Sequence, residues 1–257
     1  MVIVDDGSTD GTKKVIENVA NNLGVPFHQE IGFDFASEIG GNDDGDSLII
    51  KVVSLPRNVG KGKAVGNGVA RTNPSCDCVL VADADGSANI SCLDDMIRVM
   101  DSSAARGEAS PHPMIVVGKR RQEPTSYYSD IKRAILRWGF QTCVRVICFP
   151  VLDSNIEDTQ CGFKLYRPRS AAISLYDQLH LDRWSHDVEL LYLASKRGMS
   201  TKQIEVRWKD VPGSKLVDTS SGLNIVLVST HMLLEVLYMR AMYAFGFWDD
   251  DFRLNSS

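Results

Sequence analysis

Two aspartates separated by one residue, Asp83 and Asp85, follow an apolar run and precede Gly86. Carboxylate oxygens are hard ligands, and two of them in one turn can bind a single divalent ion such as Mg²⁺ or Mn²⁺. Such an ion can bridge the phosphates of a nucleotide diphosphate and offset the charge that builds on a leaving diphosphate. Turns also favour aspartate without any such function. We therefore take Asp83 and Asp85 as candidate metal ligands, and Asp83 also as a candidate nucleotide contact.

A second acidic turn, Asp5-Asp6-Gly7-Ser8, follows the β-branched residues 2–4. A carboxylate at the end of a strand can accept hydrogen bonds from a nucleobase or a ribose, so Asp5 and Asp6 are candidate nucleotide contacts. The alternative is a turn that only caps the following helix. In the glycine-rich loop 57–64, Lys61 or Lys63 could supply positive charge to a diphosphate, or both could be solvated lysines. The loop matches neither a dinucleotide-binding nor a Walker pattern.

The segments that carry these residues alternate between strand and helix patterns. The apolar run 78–82 is typical of a strand buried on both faces. The alternation predicts an α/β fold with a mostly parallel sheet flanked by helices. Ligands bind such sheets at the carboxyl ends of the strands, where the four aspartates lie. The predicted strands are 2–4, 48–55, 78–82 and 114–117, and the predicted helices are 10–22, 60–71 and 91–100.

The second half of the chain is less regular, with helices predicted at 130–149, 186–196 and 222–245, a loop at 158–164 and a strand at 202–208. The helix at 222–245 is apolar nearly all round. The helix at 130–149 is apolar except for polar residues four apart. The two helices either lie at an anionic lipid surface or pack on each other and on the sheet. The polar residues are Arg133, Arg137, Gln141 and Arg145.

The composition limits the partners and the type of site. The net charge of −5 disfavours a nucleic acid polymer as partner. No stretch reaches the roughly 20 apolar residues that a membrane-spanning helix needs. The six cysteines have no CxxC spacing, so we expect reduced thiols in a cytosolic environment rather than a zinc site.

The acidic turn 4–8, the loop 58–65 and Asp83-Ala84-Asp85-Gly86 together resemble the family 2 inverting glycosyltransferases, which have the Rossmann-like GT-A fold. Residues 158–164 (DTQCGFK), 179–189 (LHLDRWSHDVE) and 213–216 (GSKL) are similar to the dolichyl-phosphate β-glucosyltransferases within this family. The related mannosyltransferases carry a Ser-Gly-Phe-Arg type of segment and a His-Pro-Pro after the acidic pair, and neither occurs in this chain.

This resemblance implies transfer of glucose from UDP-glucose to dolichyl phosphate with inversion, at the cytosolic face of the endoplasmic reticulum membrane. Asp5 or Asp6 would hold the uridine, and Asp83 with Asp85 the metal, Mg²⁺ or Mn²⁺, and the diphosphate. An acceptor phosphate is already anionic, so a catalytic carboxylate could orient the acceptor rather than deprotonate it. The other implied residues are Lys61 and Arg120 for the nucleotide sugar, Asp187 and Asp158 for catalysis, and Lys215 and Arg207 for the acceptor phosphate.

We expect a GT-A domain over residues 1–215 and a C-terminal apolar helix and tail over 216–257, membrane-associated through its apolar helices. Family members begin with an additional strand that is missing here, which favours a truncated gene model. The alternatives are a family 2 transferase that uses another nucleotide sugar, such as GDP-mannose, or another polyprenyl phosphate, and an inactive truncated remnant. Residues 79–87 also fit the haloacid-dehalogenase phosphatase signature, but that family places its nucleophilic aspartate on the first strand.

Overall fold

The computed structural model of the chain describes residues 1–31, 49–104, 113–122, 129–152, 155–209 and 222–249. The chain divides into two compact units, residues 1–79 with 167–186 and residues 80–166 with 187–257. In chain order the elements are β1 (Val2–Asp5), α1 (Thr12–Leu23), β2 (Phe27–Ile31), β3 (Ile50–Ser54), α2 (Lys61–Ala70), β4 (Val79–Ala82), α3 (Leu93–Ala104), β5 (Met114–Gln122), α4 (Ser129–Cys148), β6 (Phe163–Arg167), α5 (Arg169–Asp177), α6 (His186–Lys196), β7 (Ser200–Trp208) and α7 (Gly222–Ala244).

The first unit is built on a sheet with the strand order β1-β3-β2. Both pairings are parallel, with Val2 opposite Lys51 and Phe27 opposite Ile50. Among its strands, the central strand β3 contributes the buried apolar side chains Ile50, Val52 and Val53, because it has a neighbour on each side. Helix α2 packs against α5 and against β1. This arrangement leaves the acidic turn after β1 at the carboxyl end of a parallel sheet.

The second unit is built on a sheet with the order β4-β6-β5-β7. Strands β5 and β7 pair in parallel from Met114 opposite Ser200 to Gln122 opposite Trp208. Residues 114–117 are buried throughout, as expected for a strand covered on both faces. Helix α6 is also almost wholly buried, and α7 packs against α4. Asp83 and Asp85, here called the DxD pair, follow β4 directly and so lie at the end of an outer strand of this sheet.

The predicted fold class is confirmed, since helices accompany sheets in which β1 and β2 pair in parallel with β3, and β5 pairs in parallel with β7. Three elements were missed: β2, β6 and α5. The predicted loop 158–164 runs directly into β6, which begins at Phe163. The polar residues of that segment concealed the strand, because Lys164 is a buried strand residue. The division at residues 215 and 216 stays a prediction.

Helices α4 and α7 occupy almost the predicted ranges and expose several large apolar side chains. The prediction of one polar stripe on α4 is wrong at Gln141, which is buried and hydrogen-bonded to the 158–159 segment. The side chains of Arg133 and Arg137 lie outside the described residues. Within the described parts of the chain, no helix combines the length and the apolar character required to cross a bilayer.

Candidate active site

The acidic turn of the first unit contains two aspartates with different environments. Asp6 accepts hydrogen bonds from the backbone N–H groups of Val59 (2.7 Å) and Gly60 (3.1 Å), one on each carboxylate oxygen. Asp5 is buried, and its Oδ1 accepts the N–H of Ser8 at 3.0 Å. Its Oδ2 has no hydrogen-bond partner among the described residues, since the Nζ atom of Lys13 lies 3.7 Å away. Asp6 therefore fixes the loop, whereas the buried Asp5 Oδ2 has only the longer ion pair with Lys13.

The glycine-rich loop before α2 is held by the chain itself. The carbonyl oxygen of Asp182 accepts the N–H of Gly62 at 2.7 Å, and a Cβ added at Gly60 would lie 2.5 Å from that oxygen. The φ of Gly60 is +101°, a conformation that favours glycine. Lys63 pairs with the Asp182 carboxylate at 2.7 Å. The first turn of α2 is thus already engaged by protein, and it does not form a phosphate cradle of the Walker type.

Lys61, the lysine predicted to bind the nucleotide sugar, lies beside an aromatic ring. Its Nζ atom is 5.7 Å from the ring centroid of Trp184, a cation–π distance. Trp184 is partly exposed and belongs to the 179–189 segment. The ammonium group therefore contacts the face of an aromatic ring of the same unit.

In the second unit, Asp83 is fitted against Gly162. The N–H of Asp83 donates to the Gly162 carbonyl oxygen at 3.1 Å. A Cβ added at Gly162 would overlap the carboxyl group of Asp83, so only glycine leaves room for this carboxylate. Asp85 is exposed, and its Oδ1 accepts the N–H of Ser87 at 2.9 Å. Carboxylate oxygens are of the type that binds a hard divalent ion, so both residues stay candidate metal ligands.

No group of three or more His, Cys, Asp or Glu side chains is arranged to bind a metal ion within the described ranges. A magnesium or manganese ion bound by Asp83 and Asp85 would need further oxygen ligands. Ions of this type commonly take them from substrate phosphates and water, with only one or two protein carboxylates. The donor set therefore fits an ion that binds together with a diphosphate.

Arg120 and Asp158 form a two-pronged ion pair. The Nε and Nη2 groups of Arg120 each donate to one Asp158 oxygen at 2.7 Å, and the Arg120 backbone N–H lies 3.3 Å from Oδ2. Burial lowers the pKa of Arg120, but the hydrogen bonds and the charge of Asp158 outweigh that effect and raise it above its ordinary value. The guanidinium stacks 5.6 Å from the centre of the Trp208 ring. Asp158 thus fixes a permanently charged arginine.

A second buried ion pair joins β6 to the start of α6. The ammonium group of Lys164, which is 1% exposed, donates to Asp187 Oδ1 at 2.5 Å and to the Cys161 carbonyl oxygen at 2.7 Å. Asp187 lies in the first turn of α6, where a helix N-terminus also favours a carboxylate. Cys161 is fully buried, and burial together with the nearby Asp158 raises the pKa of its thiol to about 11.

Arg207 lies apart from the Arg120 pair. Successive side chains of a strand point to opposite faces, so Arg207 and Trp208 diverge at the end of β7. Trp208 contacts Arg120, whereas the Nη2 group of Arg207 donates to the Ser91 hydroxyl at 3.0 Å. The prediction that Arg207 binds an acceptor phosphate stays a prediction. Lys215, predicted for the same role, lies outside the described residues.

Comparison with known proteins assigns the family. The model of glycosyl transferase family 2 matches residues 1–171. The chain belongs to glycosyl transferase family 2. The matched range covers the acidic turn, the DxD pair and the segment 158–164, and it ends before α6.

Several curated relatives of this family 2 chain have the name dolichyl-phosphate beta-glucosyltransferase. The Mus musculus protein is 31% identical over 251 residues, covering 96% of this chain and 65% of that protein. The Homo sapiens protein is 30% identical over the same coverage, and the Saccharomyces cerevisiae protein is 26% identical over 98% of this chain and 67% of its own. The chain spans about two thirds of the length of these relatives.

Solved structures agree on the fold. Glucosyl-3-phosphoglycerate synthase from Mycobacterium tuberculosis, in complex with Mn²⁺, UDP and glucosyl-3-phosphoglycerate, matches 93% of this chain and 67% of that chain. The sequence identity is 16% and the TM-score is 0.50. The complex of the same synthase with Mn²⁺ and UDP-glucose has the same TM-score at 18% identity. At this identity the likeness supports the glycosyltransferase fold of the family 2 chain and nothing further.

The predicted site residues of this family 2 chain fall in both units. Asp5, Asp6 and Lys61 belong to the first unit, and Asp83, Asp85, Arg120, Asp158, Asp187 and Arg207 belong to the second. Two residues of the site were not singled out from the sequence, Gly162 and Lys164. The signal was present in the DTQCGFK segment, but a sequence pattern does not reveal that its glycine packs on Asp83 or that its lysine is buried.

Proposed function

We propose that this family 2 glycosyltransferase transfers glucose from UDP-glucose to dolichyl phosphate with inversion, at the cytosolic face of the endoplasmic reticulum membrane. The observation that carries the proposal is the segment 158–164. Its Asp158 forms an ion pair with Arg120, its Gly162 packs on Asp83, and its Lys164 forms an ion pair with Asp187. The relatives at 26–31% identity that carry the name of this activity support the choice of substrates.

Each acidic turn supplies candidate contacts for the donor. The unsatisfied Oδ2 of the buried Asp5 suits an N–H donor such as that of uracil. Asp83 and Asp85 would hold Mg²⁺ or Mn²⁺, which stabilises negative charge on the diphosphate when it is bound. Arg120 directs two of its donor groups to Asp158 and has further N–H donors for a diphosphate oxygen. Lys61 would add a second positive charge.

In the proposed reaction, a phosphate oxygen of the acceptor attacks C1 of glucose from the face opposite to UDP. The new C1–O bond forms as the bond from C1 to the diphosphate oxygen breaks, and UDP leaves with the electron pair. The acceptor phosphate is anionic before the reaction, so no proton has to be removed from it. The carboxylate of Asp187 would therefore orient the reacting groups. Arg207 and Lys215 are the residues proposed for the acceptor phosphate.

The lipid acceptor requires contact with a membrane surface, and the second unit has a surface that suits it. Large apolar side chains stand exposed on α4, α7 and the turn that follows α7. Trp138 is 72% exposed, Phe245 is 77% exposed and Phe247 is 72% exposed. Large exposed apolar surfaces are typical of protein or membrane interaction sites, and this supports the proposal. The others are Val146, Phe149, Leu227, Leu234, Leu237 and Tyr238.

The proposal is tested by transfer of labelled sugar from UDP-glucose to dolichyl phosphate, with and without Mn²⁺ or Mg²⁺. We expect a metal-dependent glucolipid whose formation falls about 100-fold or more in Asp85→Ala, because several kcal/mol of charge stabilisation are lost. Asp94→Ala, at an exposed aspartate of α3, is the matched control and should retain the wild-type rate.

Competition with GDP-mannose and other nucleotide sugars tests the donor in the same assay. A folded chain that forms no glucolipid contradicts the proposal. Equal transfer from GDP-mannose contradicts the choice of glucose as the sugar.

A further inference from the structure

We propose that Lys164 is a positioning residue for this transfer, acting through Asp187. The inference rests on the proposed function and concerns how that reaction keeps its carboxylate in place. Lys164 is 1% exposed, and its ammonium group donates hydrogen bonds to two protein atoms, Asp187 Oδ1 and the Cys161 carbonyl oxygen. An ammonium group buried in this way is not placed as a surface cation that captures phosphate from solvent.

Because the pair is buried, removing either partner is expected to be costly in free energy. A carboxylate buried without a positive partner is costly, and it takes up a proton instead. Lys164 therefore offsets the charge of the Asp187 carboxylate. It also restricts the rotation of that carboxylate, because Oδ1 is held by a short, charge-assisted hydrogen bond. A carboxylate held in this way is placed to orient the reacting groups, which agrees with a reaction in which the acceptor needs no deprotonation.

Lys164 belongs to the segment 158–164, which also contacts two other candidate site residues. Two residues before it, Gly162 packs on the Asp83 carboxyl group, and Asp158 holds Arg120. A single short segment thus sets the positions of a candidate metal ligand, a cation for the diphosphate and the Asp187 carboxylate. The side chain of Lys164 reaches α6 through Asp187. Its loss should displace Asp187 while Asp83 and Arg120 stay in place.

The test is a double-mutant cycle on Lys164→Met and Asp187→Asn in the glucosyl transfer assay. We expect each single variant to lower kcat about 100-fold, as a misplaced group commonly does, with the KM for UDP-glucose changed by less than about threefold. The double variant should be no slower than Asp187→Asn, because a residue that acts only through Asp187 has no further effect once Asp187 is altered. Lys164→Arg, which keeps the charge, should recover at least about tenfold of the loss.

Thermal unfolding of the wild type and of these four variants checks the pair without any substrate. Lys164→Met should lower the Tm by about 10 °C, and the double variant should recover part of that loss, since it buries no unpaired charge. Lys202→Met, at an exposed lysine of β7, is the control and should match the wild type in both measurements.

The outcomes separate the two proposals. Losses that multiply in full in the double variant, or a Lys164→Met enzyme at the wild-type rate, overturn the role of Lys164 while the transferase activity stands. A raised KM for dolichyl phosphate with unchanged kcat in Lys164→Met also overturns it, in favour of direct phosphate binding. A folded wild-type chain that transfers no glucose overturns the proposed function itself.

Discussion

At the scale of single residues, the absence of a side chain at Gly162 makes room for the carboxyl group of Asp83 in its present position. The contact is steric, because a methyl group at this position would overlap the Asp83 carboxyl group. Gly162→Ala should therefore weaken binding of Mn²⁺ with UDP by about tenfold or more, since a ligand displaced by a fraction of an ångström loses its coordination distance. Titration calorimetry measures this loss, and circular dichroism reports whether the chain stays folded.

Gly139→Ala is the matched control for that substitution. Gly139 lies in α4, and an added Cβ meets nothing within 4 Å. Alanine should stabilise the helix by up to about 1 kcal/mol and leave ligand binding unchanged. Equal binding by the wild type and by both alanine variants would contradict the role of Gly162.

The cysteines allow a residue-scale test of how closed the segment 158–164 is. Only the thiolate reacts, and burial raises the pKa of the Cys161 and Cys148 thiols to about 11. At pH 8 we expect iodoacetamide to modify the exposed Cys76 and Cys143 in the folded protein and to leave Cys161 and Cys148 unmodified. Mass spectrometry of the digested protein reads this out. Rapid labelling of Cys161 without denaturant would show that the segment opens in solution.

The aspartates could be predicted from the sequence, whereas Lys164 could not. Asp5 and Asp83 follow short apolar runs, so their place at strand ends follows from the pattern. Which of two adjacent aspartates has an unsatisfied oxygen depends on the loop 57–60, which is distant in the sequence. A lysine in a strand ordinarily predicts an exposed side chain. Only the tertiary structure brings the carboxylate of Asp187 to it.

At the scale of elements, a buried hydrogen bond anchors the C-terminal helix to the helix that carries Asp187. The hydroxyl of Tyr243, in α7, donates to Glu189 Oε1 in α6 at 2.8 Å, and both side chains are buried. Tyr243→Phe removes this donor from a buried carboxylate. We expect the free energy of unfolding to fall by about 1.5–3 kcal/mol, the range for a hydrogen bond to a charged group. Chemical denaturation measures the change.

Tyr238→Phe provides the comparison for the Tyr243 experiment. Tyr238 lies in the same helix but is more than half exposed, and its ring contact with Trp248 survives the loss of the hydroxyl. Its stability should stay within about 0.5 kcal/mol of the wild type. A Tyr243→Phe protein as stable as Tyr238→Phe would mean that α7 is held by its apolar contacts alone.

The two strands missed in the sequence, β2 and β6, share one physical feature: polar residues interrupt the apolar pattern that would have indicated a strand. Strand β2 (FHQEI) is an outer strand of its sheet and has largely exposed side chains, so it lacks an apolar run. Strand β6 carries Lys164, whose charge is offset by Asp187 rather than by solvent. The long helix α7 was predicted to within a residue at its ends, because its continuous apolar run is recognisable without any tertiary contact.

At the scale of the whole molecule, the net charge of −5 does not favour attraction to an anionic lipid surface. Contact with a membrane would therefore depend on apolar side chains, in particular Trp138, Phe245 and Phe247. The additional strand expected before residue 1 and the membrane association of residues 216–257 both stay predictions. Neither the extent of the chain nor the composition of its helices decides them, because the same apolar surface could contact lipid or protein.

A binding experiment decides between lipid and protein as the partner of that surface. Burying one aromatic side chain contributes about 1.5–3 kcal/mol, so the double substitution Phe245→Ser with Phe247→Ser should weaken cosedimentation with phosphatidylcholine–phosphatidylserine vesicles at least about tenfold. Leu23→Ser removes a comparably exposed apolar side chain from α1 in the first unit and should leave vesicle binding unchanged. Because the contact is apolar rather than ionic, raising the salt concentration should weaken binding by less than about twofold. Binding that disappears in high salt, or that survives the double substitution, would mean that charged residues hold the protein to lipid and that these aromatic side chains serve another partner.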